Sequence, residues 1–267
     1  WRRVEDQEER LRRLTAEQQR LLDFLGGRRK AAIRGVAGSG KTVLAVAKAQ
    51  SLAREGIRTL FLCYNKPLKE WLEQAVGGSY EGELKFDTYH GLAADLCHKA
   101  HVPFVQSQKE LQDQEFWANR APERLMDATD VLGHEHKFDA LVVDEGQDFH
   151  DLWWTSLDGV FCDPVQKGCY YVFYDPKQNI YVQEPSIPAE LGEPFVLPIN
   201  CRNTVKIARH CASLVHEAVQ VRDGAPTGDD PEMIRVASLK AAFEEAGRKV
   251  RYLCGTTAGG LRPSQVA

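Results

Sequence analysis

The sequence of 267 residues has no apolar run of the roughly 18 to 20 residues that a membrane span requires, and its start is not a signal peptide. It therefore predicts a protein without a membrane-spanning helix. It also lacks a marked excess of either charge, because 34 lysines and arginines face 38 aspartates and glutamates, for a net charge of −4. The overall charge gives no support to nucleic-acid binding, although a local basic stripe is compatible with it.

Disulfide frameworks and repeats are missing as well. The seven cysteines are odd in number and scattered through mostly apolar stretches such as FLCYN and RYLCG. This distribution is typical of reduced thiols and favours a cytoplasmic protein over a secreted one. There is no internal repeat or low-complexity tract, and no methionine stands at the first position. We therefore expect the chain to be a globular piece of a longer protein.

What the sequence does contain is an alternation of strand-like apolar runs and helical segments. The strand-like runs are AAIRG, RTLFLCY, KFDTYH, DALVVDE and CYYVFYD. Alternation at this spacing predicts an α/β fold with a parallel sheet covered by helices on both faces. We expect residues 1–203 to form this domain, with a short inserted subdomain at about 93–136. A helix, a loop and the strand-like tail RKVRYLCG then predict the start of a second α/β domain, incomplete at 204–267.

A glycine-rich segment, GVAGSGKT, lies between the first strand and the following helix and fits the spacing G-x-x-x-x-G-K-[ST]. Its glycines let backbone amides point inward at phosphate oxygens, and the helix adds the positive end of its dipole. The lysine can reach the β- and γ-phosphates, and the threonine hydroxyl can ligate Mg²⁺. The alternative is a turn that binds nothing. The predicted nucleotide-binding residues are Gly35, Gly38, Ser39, Gly40, Lys41 and Thr42.

Two carboxylates end a later buried strand, in the stretch ALVVDEGQDF. A strand in the same sheet would place Asp144 beside Thr42, where both would hold Mg²⁺. Glu145 would face the γ-phosphate and act as the catalytic base. An ordinary acidic turn at the end of a strand is the alternative. Together with the glycine-rich loop, the pair predicts an ATPase site.

GVAGSGKT together with DEGQD resembles the superfamily 1 helicases of the UvrD/Rep type, and the resemblance extends over most of the chain. It implies a P-loop NTPase (RecA-like) fold, ATP and Mg²⁺ as cofactors, and single-stranded DNA as the partner, with RNA left open. Gly146 departs mildly from the family's DEAQD or DEFQD. Gln183 or Val182 stands near the place of an aromatic residue that stacks on a DNA base, and the family's later motifs are missing.

The same resemblance implies roles for further residues. LTAEQQ is similar to the family's adenine-reading segment, which assigns that role to Gln18. FYDPKQNIY is similar to the element that couples the γ-phosphate to DNA, which implies Gln178. LPINCRNT resembles N-Y-R-S, whose arginine approaches the γ-phosphate from the domain boundary, which implies Arg202. Both residues join Lys41 and Glu145 as catalytic candidates. The nucleic-acid candidates, from LFLCYNKPL and FDTYHGLA, are Asn65, Lys66, Thr88 and His90.

Ordinary structural roles stay open for several of these residues. On sequence alone Gln18 is equally a surface helix residue, and Asn65 and Lys66 equally belong to a strand-to-helix turn. His90 is equally a core or capping histidine.

Three functions follow from these motifs. The first is the N-terminal motor part of an ATP-dependent helicase or single-stranded DNA translocase, monomeric and weakly active as this piece alone. The second is a regulatory ATPase that keeps the nucleotide site without unwinding, favoured by the short insertion and the acidic balance. The third, a small-molecule kinase, shares the glycine-rich loop but explains neither DEGQD nor NCRNT.

Overall fold

The computed structural model describes residues 16–76, 80–162, 168–178, 186–216 and 218–255. The predictions made for Val182, Gln183 and the last residues, 256–267, lie outside these ranges. Within the described ranges, every helix is too short or too polar to cross a lipid bilayer.

Six parallel strands form the central sheet, and they come from apolar runs of the sequence. They are β1 (Lys30–Gly35), β2 (Thr59–Cys63), β3 (Leu84–Thr88), β4 (Ala140–Val143), β5 (Cys169–Tyr174) and β6 (Phe195–Leu197). Their order across the sheet is β3-β2-β4-β5-β1-β6. Every residue of β2 and β4 is buried, as expected for parallel strands covered on both faces. Because the strands all run in one direction, the residues that follow them meet at one edge of the sheet.

Helices cover both faces of this sheet. One face carries α1 (Ala16–Gly26), α2 (Lys41–Arg54) and α3 (Lys66–Ala75), and the other carries α4 (Tyr89–Lys99), α5 (Ala121–Val131) and α6 (Asp151–Leu157). Successive strand residues point to opposite layers, so Phe61 packs in the first core and Leu62 in the second. This arrangement confirms the predicted α/β fold.

The polar stretch predicted to form an inserted subdomain begins inside α4. It continues through a short 3-10 turn and a π-helical turn, Phe116–Arg120, into α5. Phe116 and Leu125 are fully buried, and α5 lies against α4 and α6. The stretch thus contributes to the helical layer on one face of the sheet, while the division of the chain into domains stays a prediction.

Beyond β6 the chain forms β7 (Ile199–Asn200), α7 (Val205–Leu214), β8 (Gln220–Val221) and α8 (Leu239–Cys254). The prediction of a strand at RKVRYLCG is wrong, because these residues form the end of α8. Ser238 caps this helix by accepting a hydrogen bond from the amide of Ala241. Glu245 pairs with Arg248 one turn further on. These local helix signals outweigh the strand-like run YLC.

Candidate functional site

The glycine-rich loop joins β1 to α2 at the carboxyl edge of the sheet. Gly38 and Gly40 have φ angles of 72° and 86°, in the left-handed region that favours glycine. Gly40 caps α2 without a side-chain hydrogen bond, so the amides of the first helical turn stay directed at the loop. Inward-facing amides at the positive end of a helix dipole form a cradle suited to phosphate.

Lys41 places a buried positive charge at the base of this cradle. Its Nζ donates to the carbonyl of Gly35 at 3.1 Å and lies 3.7 Å from Oδ2 of Asp175, which follows β5. The two side chains are only 6% and 5% exposed. Because β5 lies between β1 and β4, Asp175 stands between the loop and the carboxylates that follow β4.

Asp144, the residue after β4, is 0% exposed, and neither of its carboxylate oxygens makes a well-formed hydrogen bond. Burial and then the charge of Glu145 raise the pKa of Asp144, against smaller lowering effects of the Thr42 hydroxyl and of Lys41. The structure therefore brings Asp144 and Thr42 together. A carboxylate with open lone pairs beside a hydroxyl is a set of hard oxygen donors, so these residues fit Mg²⁺.

Glu145 adopts an unusual backbone conformation, with φ 56° and ψ 43°. Left-handed non-glycine residues cost on the order of 1–3 kcal/mol and cluster at functional sites. The Oε2 of Glu145 accepts a hydrogen bond of 2.8 Å from Nε2 of Gln147. The Oε1 of Gln147 in turn accepts one of 2.9 Å from the amide of Asp175. A buried amide thus joins the turn after β4 to the turn after β5.

Sequence reasoning missed this role of Gln147. The available signal was an amide side chain two residues after the carboxylate pair, in a turn that follows a fully buried strand. What the sequence could not provide was its partner, because the amide of Asp175 is brought close only by the pairing of β4 with β5.

Gln178 and Arg202 both lie close to the loop. Nε2 of Gln178 donates to Oδ2 of Asp175 at 2.6 Å, on the same carboxylate that faces Lys41. The backbone amide of Arg202 donates to the carbonyl of Gly38 at 3.0 Å, while its side chain is exposed. The structure therefore places the first residue in the network at the loop and the second at the loop's outer side.

Gln18 of α1 also contacts the loop. Its side chain is 5% exposed, and its Nε2 donates to the carbonyl of Ser39 at 2.5 Å. A methyl group added at Gly40 would lie 2.4 Å from the same nitrogen. Gln18 is thus a buried support of the loop and not a surface helix residue, while adenine reading stays a prediction.

Asn65, Lys66 and Thr88, three of the four nucleic-acid candidates, lie where a strand passes into a helix at this same edge, and two of them cap helices. Oδ1 of Asn65 accepts a hydrogen bond of 2.8 Å from the amide of Leu68 and caps α3. Oγ1 of Thr88 accepts one of 3.0 Å from the amide of Gly91 and caps α4. Lys66, between these caps in the chain, is exposed. The strand-to-helix turn that the sequence left open therefore accounts for Asn65.

His90 packs inside an aromatic cluster. Its ring centroid lies 4.4 Å from that of Trp117 and 4.8 Å from that of Trp153. Its Nε2 is buried without a hydrogen-bond partner. Burial and then the nearby His150 lower the pKa of His90 to about 4, so the ring is neutral near pH 7. This is the core role that the sequence left open.

Comparison with known proteins gives a family for the chain. Residues 3–152 match the family model described as "Type III restriction enzyme, res subunit". No curated protein sequence matches. A solved structure described as "Structural Basis for DNA Unwinding at Forked dsDNA by two coordinating Pif1 helicases" is similar, with 14% identity and a TM-score of 0.34. That match covers 95% of this chain and 50% of the other, so this chain spans about half the length of the other.

The family match supports a helicase-type ATPase motor domain, and it does not single out the UvrD/Rep type. The matched residues make up more than half of the chain and include both the glycine-rich loop and the turn DEGQD. The chain belongs to the family of type III restriction enzyme res subunits, within the helicase superfamily.

Proposed function

We propose that the chain is the ATP-hydrolysing motor part of a superfamily 1 helicase or single-stranded nucleic-acid translocase of the UvrD/Rep type, with ATP and Mg²⁺ as cofactors. The observation that carries the proposal is Asp144, buried without well-formed hydrogen bonds beside Thr42. A buried carboxylate is costly unless a cation or a proton compensates it. The phosphate cradle next to it makes a nucleotide-bound Mg²⁺ the fitting partner. When bound, Mg²⁺ would stabilise charge on the transferred phosphoryl group.

Glu145 is the proposed general base, which accepts a proton from the attacking water. Gln147 holds its carboxylate by the hydrogen bond of 2.8 Å. Gln178 donates to the Oδ2 atom of Asp175, the same oxygen that faces Lys41. A change in phosphate contact at Lys41 would therefore reach Glu145 through two side chains and one backbone amide, which supports coupling between the phosphate and the base.

Arg202 is the proposed second cation at the γ-phosphate. Its backbone already lies on the outer side of the loop, at Gly38, and its exposed side chain is free to reorient toward a bound nucleotide. An arginine directed at the transferred phosphoryl group contributes about 10³- to 10⁵-fold in rate in comparable enzymes. Lys66, exposed at the same edge of the sheet, is the proposed contact with the phosphates of a single strand.

Gln18 is the proposed residue on the adenine side. One carboxamide offers both a donor and an acceptor, which matches the N6 and N7 atoms of adenine and not the paired acceptors of guanine. Its present contact with Ser39 places it beside the loop and supports this assignment to the nucleotide site.

The decisive experiment measures ATP hydrolysis with and without single-stranded DNA for the wild type and for Glu145→Gln. We expect DNA to stimulate the wild type, and the variant to lose about a hundredfold or more in kcat while its Kd for Mg²⁺–ADP stays within about twofold. Glu123→Gln is the matched control, because Glu123 is exposed on α5 and the change in charge is the same.

Turnover of the wild type that stays at the level of Glu145→Gln, with both DNA and RNA present, would contradict the proposal. Displacement of a labelled strand from a partial duplex then distinguishes a helicase from an ATPase that does not unwind.

A further inference from the structure

The outer side of the phosphate loop is hydrogen-bonded to the segment 200–202. Backbone carbonyl oxygens of a loop that is shielded from water need donors. Nδ2 of Asn200 donates to the carbonyl of Ala37 at 2.8 Å. The amides of Cys201 and Arg202 donate to the carbonyl of Gly38 at 2.8 Å and 3.0 Å. Two consecutive loop carbonyls are therefore paired with three consecutive residues that follow β6.

Asn200 uses both ends of its carboxamide. While Nδ2 binds the loop, Oδ1 accepts hydrogen bonds from the amides of Arg202 at 3.2 Å and Asn203 at 2.9 Å. Its side chain is buried, and the residue is only 2% exposed. One amide group thus closes the turn that carries Arg202 and fastens that turn to the loop.

The carboxamide of Asn200 also packs tightly against the backbone of Gly38. A methyl group added at Gly38 would lie 2.8 Å from both Nδ2 and Oδ1 of Asn200. A cavity of about 270 Å³, lined by Val36, Ala208 and Cys211 among others, separates the rest of α7 from the loop. The hydrogen bonds of segment 200–202 therefore join the loop to the start of the segment that leads into α7, at the rim of this cavity.

We propose that Asn200 is a positioning residue that locks the phosphate loop to the turn carrying Arg202, so that nucleotide binding and the placement of Arg202 are energetically coupled. The inference rests on the proposed function, because it assumes that the loop holds a nucleotide. A buried hydrogen bond that also fixes a backbone turn transmits a change on one side to the other. Asparagine is suited to this task because it carries a donor and an acceptor on one planar group.

The test uses Asn200→Asp, which keeps the shape and the acceptor toward Arg202 and Asn203 but turns the donor toward Ala37 into an acceptor. Two acceptors then face each other, so the lock opens while the turn is preserved. We expect the Kd for a fluorescent ADP with Mg²⁺ to rise about tenfold to a hundredfold. Asn119→Asp, an exposed change with the same added charge, should leave the Kd within about twofold of the wild type.

A double-mutant cycle separates positioning from a merely structural role. Arg202→Ala should lower kcat strongly in the wild-type background and much less in the Asn200→Asp background, because the arginine is already misplaced there. A Kd for Asn200→Asp within twofold of the wild type, or losses in kcat that are additive, would overturn the inference.

Hydrogen exchange on the wild type provides the second measurement if Asn200→Asp does not fold. ADP with Mg²⁺ should slow exchange in the peptide that contains Cys201 and Arg202, whose amides donate to the loop. Unchanged exchange in a protein that binds ADP would overturn the inference alone. A wild type that binds no nucleotide would instead refute the proposed function, and this inference with it.

Discussion

At the residue scale, the turn DEGQD after β4 gives each of its residues a different environment. Asp144 is completely buried, Glu145 has a left-handed backbone, and Gln147 bridges to the next turn. A methyl group at Gly146 would lie 2.5 Å from Cγ1 of Val172 in β5. Close packing of the turn against β5 therefore explains why glycine occupies this position.

Gln147 provides the prediction at this scale. Gln147→Ala removes the hydrogen bond that holds Glu145 and the one that Asp175 donates. We expect kcat for ATP to fall about tenfold to a hundredfold with a smaller change in KM, because the base is misplaced while the phosphate cradle is intact. Steady-state kinetics measure this, with the exposed Gln114→Ala as the matched control. A change confined to KM would contradict the role.

At the element scale, the helices that follow β1, β2 and β3 begin in two different ways. Asn65 caps α3 and Thr88 caps α4, while Gly40 begins α2 with no side-chain cap. Among these three helices, the one without a side-chain cap begins at the phosphate cradle. The other two, α3 and α4, carry the candidates for nucleic-acid contact, so their residues have separable structural and binding roles.

Asn65 and Lys66 allow these two roles to be measured. Asn65→Ala should lower the free energy of unfolding by about 1 kcal/mol, because it removes the cap of α3. Lys66→Ala should leave stability unchanged within about 0.5 kcal/mol but weaken binding of single-stranded DNA and reduce its salt slope by about 0.7. Urea denaturation and a salt titration of binding test the pair. Equal salt slopes for Lys66→Ala and the wild type would exclude the phosphate contact.

The aromatic cluster around His90 predicts a dependence of stability on pH. Its folded pKa is about 4, below the ordinary value of 6.5. Between these values the unfolded state binds more protons, so the free energy of unfolding falls as the pH falls. From pH 7 to pH 5 the loss due to His90 amounts to about 2 kcal/mol. His90→Phe abolishes this contribution.

Denaturation at pH 7 and at pH 5 tests the prediction. Relative to the wild type, His90→Phe should gain stability on going to pH 5, whereas the control His98→Phe, exposed on the same helix, should keep a constant difference. A constant difference in the free energy of unfolding for both variants would show that folding does not lower the pKa of His90.

Most of the strands and turns that form the site were predictable from the sequence, and the exceptions have physical reasons. The strands, the loop and the turn DEGQD are local signals, so the α/β fold and the meeting of Asp144 with Thr42 followed from them. The position of β5 between β1 and β4 depends on contacts between residues far apart in the sequence, so the sequence did not predict it. The bridge formed by Gln147 depends on that position and was not predicted either. The prediction of a strand near residue 250 was wrong because a short apolar run is too short to show whether its hydrophobic residues repeat as in a strand or as in a helix. The cap and the ion pair of α8 favour the helix.

At the scale of the whole molecule, the core is concentrated in the layers around the six-stranded sheet. Phe61 of β2 is 0% exposed, whereas Phe243 of α8 is 71% exposed. None of the residues of α8 is buried. The sheet and its six covering helices therefore hold most of the free energy of folding, and α8 contributes little through burial.

The same substitution at these two positions tests this distribution. Phe61→Ala should lower the free energy of unfolding by about 3–5 kcal/mol, because it opens a cavity in the core. Phe243→Ala should change it by no more than about 0.5 kcal/mol. Chemical denaturation followed by circular dichroism measures both. A cost of several kcal/mol for Phe243→Ala would show that α8 is packed in solution.

The single direction of the six strands has a practical consequence. Every strand that contributes to the candidate nucleotide site does so at its carboxyl end, so the turn at 133–137 before β4 carries none of the site residues. It lies about 15 Å from the site, the length of a strand of four to six residues. A fluorophore or an affinity handle attached at that turn would therefore leave the candidate nucleotide site free to bind its nucleotide.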